Sequence, residues 1–246
     1  MRSLIVIPAR MASTRLPGKP LADIAGAPMI VRVCERAAAA GIGPVWVAAA
    51  EIEVAQTVEK AGFSAVLTDP DLPSGSDRVH AALGAIDPDE AYDVIINLQG
   101  DMPTLDPSAL EAVVRSIKAN PSCDLATLVA EIRNPKEAVD PNVVKAVLGD
   151  VADGQARAHY FSRAAVPAGE GPLWHHIGVY AWRRTALDRF VAAPPSTLEL
   201  RERLEQLRAL DLGMRIDCAV LSGPPPNGVD TPEDLEAARA VYRTAP

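Results

Sequence analysis

The sequence predicts an α/β fold in which helices cover a mainly parallel sheet. First, short apolar runs alternate with helix-like segments at least four times in the first 120 residues, the rhythm of right-handed βαβ units. Second, residues 3–8 (SLIVIP) and 93–98 (DVIINL) are mostly β-branched and apolar, as strands buried on both faces are. Third, 246 residues, 48% of them hydrophobic, can bury one large core.

The elements of the first half follow in order along the chain. Pro28 suits a first helical turn and Gly41 suits a helix C-terminus, so a helix is predicted between them. The other elements predicted here are strands at residues 45–48, 65–68 and 93–98, and helices at residues 51–61, from about 76, and 107–119.

Beyond residue 120 the alternation is less regular. Predicted strands at residues 124–132, 143–148 and 175–182 precede helices at 183–192 and 198–209, a strand at 215–221 and a helix after Thr231. The run from Asp230 to Asp234 (DTPED) combines a cap, a proline and early acids, which marks a helix start. We predict a single domain, residues 1–246, with a mixed-sheet extension within about residues 121–195.

Charge and cysteine content exclude several classes of protein. The net charge of −8 argues against a nucleic-acid surface, which needs a basic face. Three cysteines without paired spacing indicate neither a disulfide framework nor a zinc site, and we expect them to be reduced packing residues. The first apolar run ends at Pro8, too short for a signal peptide or a membrane span. We therefore expect a cytoplasmic protein without membrane insertion.

The loop at residues 9–20 (ARMASTRLPGKP) is the first candidate site. It carries three cations, small hydroxyl residues and a glycine, while residues 1–22 contain no acid, so the loop is suited to surround a triphosphate. It is not a P-loop, because Ser13 stands at the first glycine position and Pro20 replaces the hydroxyl residue. The alternative is a solvated surface loop, but cations this dense directly after a buried strand favour an anion site.

Asp101 is the second candidate. A carboxylate after a buried strand is costly unless it is paired or metal-bound, and Mg²⁺ takes one or two carboxylates together with substrate phosphate oxygens. Asp230 is a possible second ligand. Both have a structural alternative, because Asp101 could only form a turn before Pro103 and Asp230 could only cap the last helix.

Six segments spread over nearly the whole chain suggest a family. They are IPARMASTRLPGKPL (residues 7–21), SGSDR (74–78), NLQGDMP (97–103), HIGVYA (176–181), STLELRERLEQLRAL (196–210) and GVDTPEDLE (228–236). In this order they resemble the CMP-Kdo synthetase family, the 3-deoxy-manno-octulosonate (Kdo) cytidylyltransferases. Several motifs in agreement are far more specific than any one of them.

The resemblance implies a nucleotide-diphospho-sugar transferase fold, which is a glycosyltransferase-A-like three-layer sandwich. It also implies a homodimer in which the two subunits contact each other through the mixed-sheet extension. It implies that CTP and Kdo give CMP-Kdo and pyrophosphate for lipopolysaccharide synthesis, with Mg²⁺ as cofactor.

The resemblance also implies roles for individual residues. Those implied in binding the nucleotide are Ala9, Arg10, Ser13, Arg15, Lys19, Ser74 and Gln99. Those implied in binding the sugar acid are Arg78, Gln99, His176, Tyr180, Glu199 and Glu202. Asp101 and Asp230 would bind magnesium, and Lys19, Arg15 and Asp101 would be catalytic. On local sequence alone, His176 could equally be a satisfied strand histidine, and Glu199 and Glu202 could be solvated or pair with Arg203.

Departures from the family pattern keep other functions open. The family often has an acid where this chain has Ala50, a His-Gln pair where it has Leu72-Pro73, and a glutamate where it has Met102. CMP transfer to a related acid, such as 8-amino-Kdo or a nonulosonate, and a catalytically idle nucleotide-binding homologue therefore remain alternatives. A nicotinamide-dependent oxidoreductase shares the α/β rhythm but would need a GxGxxG after a strand, which the sequence lacks.

Overall fold

The computed structural model describes residues 1–226 and 228–244. The chain divides into two compact units, unit 1 (Met1–Glu111 with Pro226–Pro246) and unit 2 (Ala112–Pro225). Unit 2 contains the segment at about residues 121–195 that the sequence assigned to an extension. Its role in dimerisation stays a prediction.

Unit 1 contains four parallel strands that create one edge rich in polar side chains. The strands of this unit are β1 (Ser3–Ala9), β2 (Asp23–Ile24), β3 (Ala27–Pro28), β4 (Val45–Ala49), β5 (Ser64–Leu67) and β6 (Val94–Asn97). The order β5-β4-β1-β6 is parallel throughout, and β2 and β3 form a separate antiparallel pair. Because β1 lies between two strands, its apolar side chains from Leu4 to Ile7 are fully buried, as its composition predicted.

Helices connect these strands, and their bounds agree with the predicted ones to within a residue or two. They are α1 (Met29–Ala39), α2 (Ile52–Lys60), α3 (Gly75–Ile86) and α4 (Pro107–Ala119), of which α4 leads from unit 1 into unit 2. In α1 the buried residues include Met29, Ile30, Val33 and Ala37, the spacing of a single helical face.

Unit 2 has a mixed sheet, as predicted. Its strands are β7 (Leu125–Glu131), β8 (Lys145–Leu148), β9 (Gln155–Ser162), β10 (Trp174–Arg183) and β11 (Ile216–Leu221). Strand β7 pairs in parallel with β11 and antiparallel with β10, while β9 pairs antiparallel with both β11 and β8. The sequence reading missed β9, because its first two buried positions, Ala156 and Ala158, are alanines, which strands disfavour.

The later helices include one correction. They are α5 (Pro135–Val139), α6 (Arg184–Ala192), α7 (Thr197–Glu202), α8 (Gln206–Asp211) and, back in unit 1, α9 (Pro232–Thr244). The single helix predicted over residues 198–209 is wrong, because Arg203 adopts a left-handed conformation with φ 55° and ends α7. Glycine usually occupies that position, so the sequence carried no stop signal there.

The remaining predictions about the chain as a whole have mixed outcomes. Cys34, Cys123 and Cys218 are buried and unpaired, which confirms the prediction of packing cysteines. Among the described residues, no helix has both the length and the apolar character that crossing a bilayer requires. The cytoplasmic location stays a prediction.

Candidate active site

One cavity of unit 1 is lined by residues from both candidate segments, the loop at residues 9–20 and the residues around Asp101. The loop at residues 9–20 follows β1, residues 98–103 follow β6, and these strands are parallel neighbours. Their carboxyl ends therefore meet at the same edge of the sheet, where ligands of open α/β sheets bind. The cavity measures about 380 Å³, and its lining includes Ala9, Arg10, Ser13, Arg15, Lys19, Ser74, Arg78, Gln99, Asp101 and Asp230.

Lys19 is the centre of the charged cluster in this cavity. It begins a short 3₁₀ helix, Lys19–Leu21, directly after Gly18, whose φ of 68° is favourable for glycine. The Lys19 Nζ donates to Asp101 Oδ2 at 2.7 Å and to Asp230 Oδ1 at 2.9 Å. Asp101 and Asp230, which lie 82 and 211 positions after Lys19 in the sequence, thus contact the same ammonium group.

The two carboxylates outweigh the effect of burial on Lys19. Burial alone lowers the pKa of the Lys19 ammonium, because a low-dielectric environment disfavours the charged form. The charges and hydrogen bonds of Asp101 and Asp230 act in the opposite direction, and the net effect is a raised pKa. Lys19 is therefore a permanent cation at neutral pH.

Asp230 does not cap the last helix, so the structural alternative for this residue is wrong. The cap of α9 consists of Thr231 and Asp234: Asp234 N donates to Thr231 Oγ1 at 3.2 Å, and Thr231 N donates to Asp234 Oδ2 at 2.9 Å. The Asp230 carboxylate instead contacts Lys19 and, at 2.9 Å, Arg15 Nη2. A backbone hydrogen bond from Val229 N to Asp101 O, 2.8 Å long, holds this turn beside Asp101.

The remaining loop residues differ in how they are held. Ser13 Oγ accepts from Leu16 N at 3.3 Å, which closes the turn ahead of Lys19. Arg10 is exposed and lines the cavity, so its guanidinium is accessible to an anion. Arg15 is also mostly exposed beyond its contact with Asp230.

Ser74 and Arg78 line the cavity but already have structural partners. Ser74 is the N-cap of α3, and its Oγ accepts from Asp77 N at 3.2 Å and donates to Asp77 Oδ2 at 2.6 Å. The buried Arg78 guanidinium donates to Thr68 Oγ1 at 2.6 Å and to Asp69 O at 2.8 Å. Its pKa is lowered, first by burial and then by the charge of Arg10. Contact of Arg78 with a sugar stays a prediction.

Gln99 is oriented by buried polar residues that the sequence analysis did not single out. Its Nε2 donates to Oδ1 of the fully buried Asn97, whose Nδ2 donates to Ser76 Oγ, each at 3.3 Å. The next residue, Gly100, lies so close to β1 that an added Cβ would approach Pro8 O to 3.0 Å. Asn97 is a polar residue inside a strand predicted to be apolar, and this feature of the sequence could have indicated the buried hydrogen bonds that orient Gln99.

The sugar candidates His176 and Tyr180 are buried in unit 2 and have protein partners. His176 Nε2 lies 3.0 Å from Thr127 Oγ1, and its Nδ1 lies 3.4 Å from Gln206 Nε2. Burial, with a smaller contribution from His175, lowers the pKa of His176 to about 3. The Tyr180 hydroxyl donates to Gln206 Oε1 at 3.3 Å, and burial raises its pKa.

Glu199 and Glu202 are paired, but not with Arg203. Glu199 forms a capping box with Ser196 and a two-pronged ion pair with Arg208, with Oε2 at 2.7 Å from Nε and Oε1 at 2.5 Å from Nη2. Glu202 accepts from Ser162 Oγ at 2.9 Å and from Arg163 N at 3.1 Å. The suggested pairing with Arg203 is therefore wrong, and contact with a sugar stays a prediction.

Comparison with known proteins identifies the family. A family model described as cytidylyltransferase matches residues 4–216. The chain belongs to the cytidylyltransferase family. It is 60% identical to the 3-deoxy-manno-octulosonate cytidylyltransferase of Rhodospirillum rubrum, over 97% of this chain and 94% of that protein. It is 61% identical to the enzyme of the same name from Parvibaculum lavamentivorans, over 97% of this chain and 92% of that protein.

A solved structure supports the same assignment. The structure of a CMP:2-keto-3-deoxy-manno-octonic acid synthetase complexed with CTP is 39% identical, covers 99% of both chains and superposes with a TM-score of 0.90. The predicted family and the nucleotide-sugar transferase fold are confirmed. This cytidylyltransferase is an enzyme of the nucleotidyltransferase type.

Asp101 and Asp230 are the carboxylates of this cytidylyltransferase that could hold a magnesium ion. Asp101 Oδ2 and Asp230 Oδ1 both lie within 3 Å of the cationic Lys19 Nζ, so their oxygens already converge on a point of positive charge. Within residues 1–226 and 228–244 no group of three or more metal-ligating side chains occurs. Two carboxylates without a third protein ligand are the donor set that Mg²⁺ completes with phosphate oxygens and water.

Proposed function

We propose that this cytidylyltransferase transfers CMP from CTP to the anomeric hydroxyl of Kdo, giving CMP-Kdo and pyrophosphate for lipopolysaccharide synthesis. The observation that carries the proposal is the convergence of Lys19, Asp101 and Asp230 in a cavity of about 380 Å³. That volume lies in the range of small-molecule sites, and the exposed cations of the loop suit a triphosphate.

The reaction is an in-line displacement at the α-phosphorus. The sugar hydroxyl loses its proton to solvent as its oxygen forms a bond to the phosphorus, and the bond between the phosphorus and the oxygen bridging the α- and β-phosphates breaks, releasing pyrophosphate. Catalysis of this kind depends mostly on positioning and on neutralising charge. Lys19 and Arg15 supply fixed positive charge where negative charge develops, and Lys19 remains protonated because its pKa is raised.

Asp101 and Asp230 would hold Mg²⁺ in this proposal. When bound, the ion would neutralise phosphate charge and make the sugar hydroxyl easier to deprotonate. The protein contributes the two carboxylates, and the Val229–Asp101 backbone hydrogen bond keeps them together.

The sugar assignment is supported mainly by relatives at about 60% identity whose names specify Kdo. As part of the proposal, His176, Tyr180, Glu199 and Glu202, which already have protein partners, contribute to binding the sugar acid by supporting the fold of unit 2. The proposal also includes a homodimer that acts in the cytoplasm.

Pyrophosphate release tests the function directly. The purified enzyme is given CTP with Kdo, 8-amino-Kdo or a nonulosonate, in Mg²⁺ and in excess EDTA, with UTP as a control nucleotide. We expect release with CTP and Kdo that EDTA abolishes. Release with another acid alone would reassign the sugar, and CTP binding without release for any acid would indicate an idle nucleotide-binding homologue.

A further inference from the structure

Glu51 occupies the N-cap position of α2, but its side chain contacts the loop at residues 9–20 instead of the helix. It follows β4 and is the N-cap residue of α2, with φ −122° and ψ 147°, yet its side chain makes no capping hydrogen bond. Its Oε2 instead accepts from Met11 N at 2.9 Å. Glutamate is not among the residues favoured at N-caps, and serine or aspartate would stabilise the helix better. The longer glutamate side chain instead reaches the loop at residues 9–20, where it accepts the hydrogen bond from Met11 N.

The end of β4 is a junction between that loop and Arg78. Ala50 N donates to Ala9 O at 2.9 Å, which binds the first residue of the loop. Thr68 Oγ1 donates to Ala49 O at 3.1 Å and accepts from Arg78 Nη1 at 2.6 Å. Glu51 adds its hydrogen bond with Met11. Residues 49–51 are therefore hydrogen-bonded to the loop at residues 9–20 and, through Thr68, to Arg78.

The charge of Glu51 also acts on Arg78, a cation of the cavity. The charge of Arg10 lowers the pKa of Arg78, after the larger effect of burial, whereas Glu51 acts in the opposite direction. A carboxylate here reduces repulsion between guanidinium groups that both line the cavity.

We infer that Glu51 is a positioning residue for CTP binding: its carboxylate fixes Met11, and thereby sets the neighbouring Arg10 and Ser13 to receive the nucleotide phosphates. Glu51 is not among the described residues that line the cavity, and its Oε2 accepts from the loop, so we assign it a positioning role. The inference rests on the proposed function, because it assigns the loop to CTP.

Two substitutions separate positioning from stability. Glu51→Ser is too short to reach Met11 N but is a favoured N-cap, so it keeps α2 capped. Glu51→Gln keeps an acceptor oxygen at the same reach without the charge. The matched control is Glu53→Ser, which removes an exposed acid from the first turn of the same helix. CTP affinity is measured by calorimetry without sugar, alongside melting temperature and steady-state kinetics.

We expect Glu51→Ser to weaken CTP binding about tenfold, the loss for a hydrogen bond to a charged group, with an unchanged or raised melting temperature. The KM for CTP should rise more than kcat falls, and Glu51→Gln should recover part of the affinity. Equal CTP affinity in wild type, Glu51→Ser and Glu53→Ser would overturn the inference. If wild type binds CTP but releases no pyrophosphate, the proposed function fails while the calorimetric comparison still decides the role of Glu51.

Discussion

The predicted site residues of unit 1 and those of unit 2 differ in what their polar groups contact. In unit 1, Arg15 and Asp230 keep 58% and 43% of their side chains exposed while lining a cavity. In unit 2, His176 is 7% exposed and the Arg208 partner of Glu199 is 6% exposed. Motif spacing located both groups, but burial and partners distinguish a side chain available to a ligand from one that supports the fold.

The physical basis of this difference is the cost of desolvation. A buried polar group must be hydrogen-bonded within the protein, and the unit 2 candidates are hydrogen-bonded to neighbouring protein groups. The charges around Lys19 are only partly desolvated, and phosphates or a metal can exchange with them at lower cost. Substitutions of the charged residues around Lys19 should therefore impair chemistry more than folding, and those of the unit 2 candidates should first impair folding.

Lys19→Ala gives the largest expected effect and tests the unit 1 side of the comparison. Removing a fixed donor to developing charge lowers turnover by about 10²–10³-fold, so we expect kcat for pyrophosphate release to fall by that factor. Lys60→Ala, which removes an exposed lysine at the end of α2, serves as the control. Near-normal turnover in Lys19→Ala, with a melting temperature like that of wild type, would contradict the catalytic assignment.

Glu199→Gln should have the next largest effect, on stability. The substitution removes the carboxylate charge of Glu199 from its buried pair with Arg208, and breaking a buried pair costs about 3 kcal/mol or more. Urea unfolding should show this loss in the free energy of unfolding, whereas Glu170→Gln, at an exposed position of the same unit, should show almost none. Unchanged stability together with a raised KM for the sugar would contradict this prediction, because Glu199 would then bind the substrate and not support the fold.

These contrasts also show what the sequence could and could not predict. The apolar run of β1 and the cations after it fixed the position of the loop, because parallel strands place their carboxyl ends at one edge. The left-handed turn at Arg203 and the Glu51–Met11 contact depend on tertiary packing and have no local pattern. Pairings such as Glu199–Arg208 require the chain to turn at Arg203, so helical spacing alone suggested the wrong partner.

His176 provides the smallest and most specific test, through the pH dependence of stability. Its folded-state pKa of about 3 lies below the ordinary value near 6.5, so the unfolded state binds the extra proton. Its stabilising contribution is therefore fully present above about pH 6.5 and is lost as the pH falls toward 3. Between pH 7 and pH 5 this amounts to about 2 kcal/mol.

Urea unfolding of wild type and His176→Gln at a series of pH values isolates this contribution, because the other titrating groups are common to both proteins. We expect the stability difference between them to shrink by about 2 kcal/mol from pH 7 to pH 5. His159→Gln, which replaces an exposed histidine of the same unit, is measured as the control for exchanging a histidine for glutamine. Parallel curves for wild type and His176→Gln would mean that the imidazole is accessible to protons in the folded state, which would place His176 with the ligand-accessible residues of unit 1.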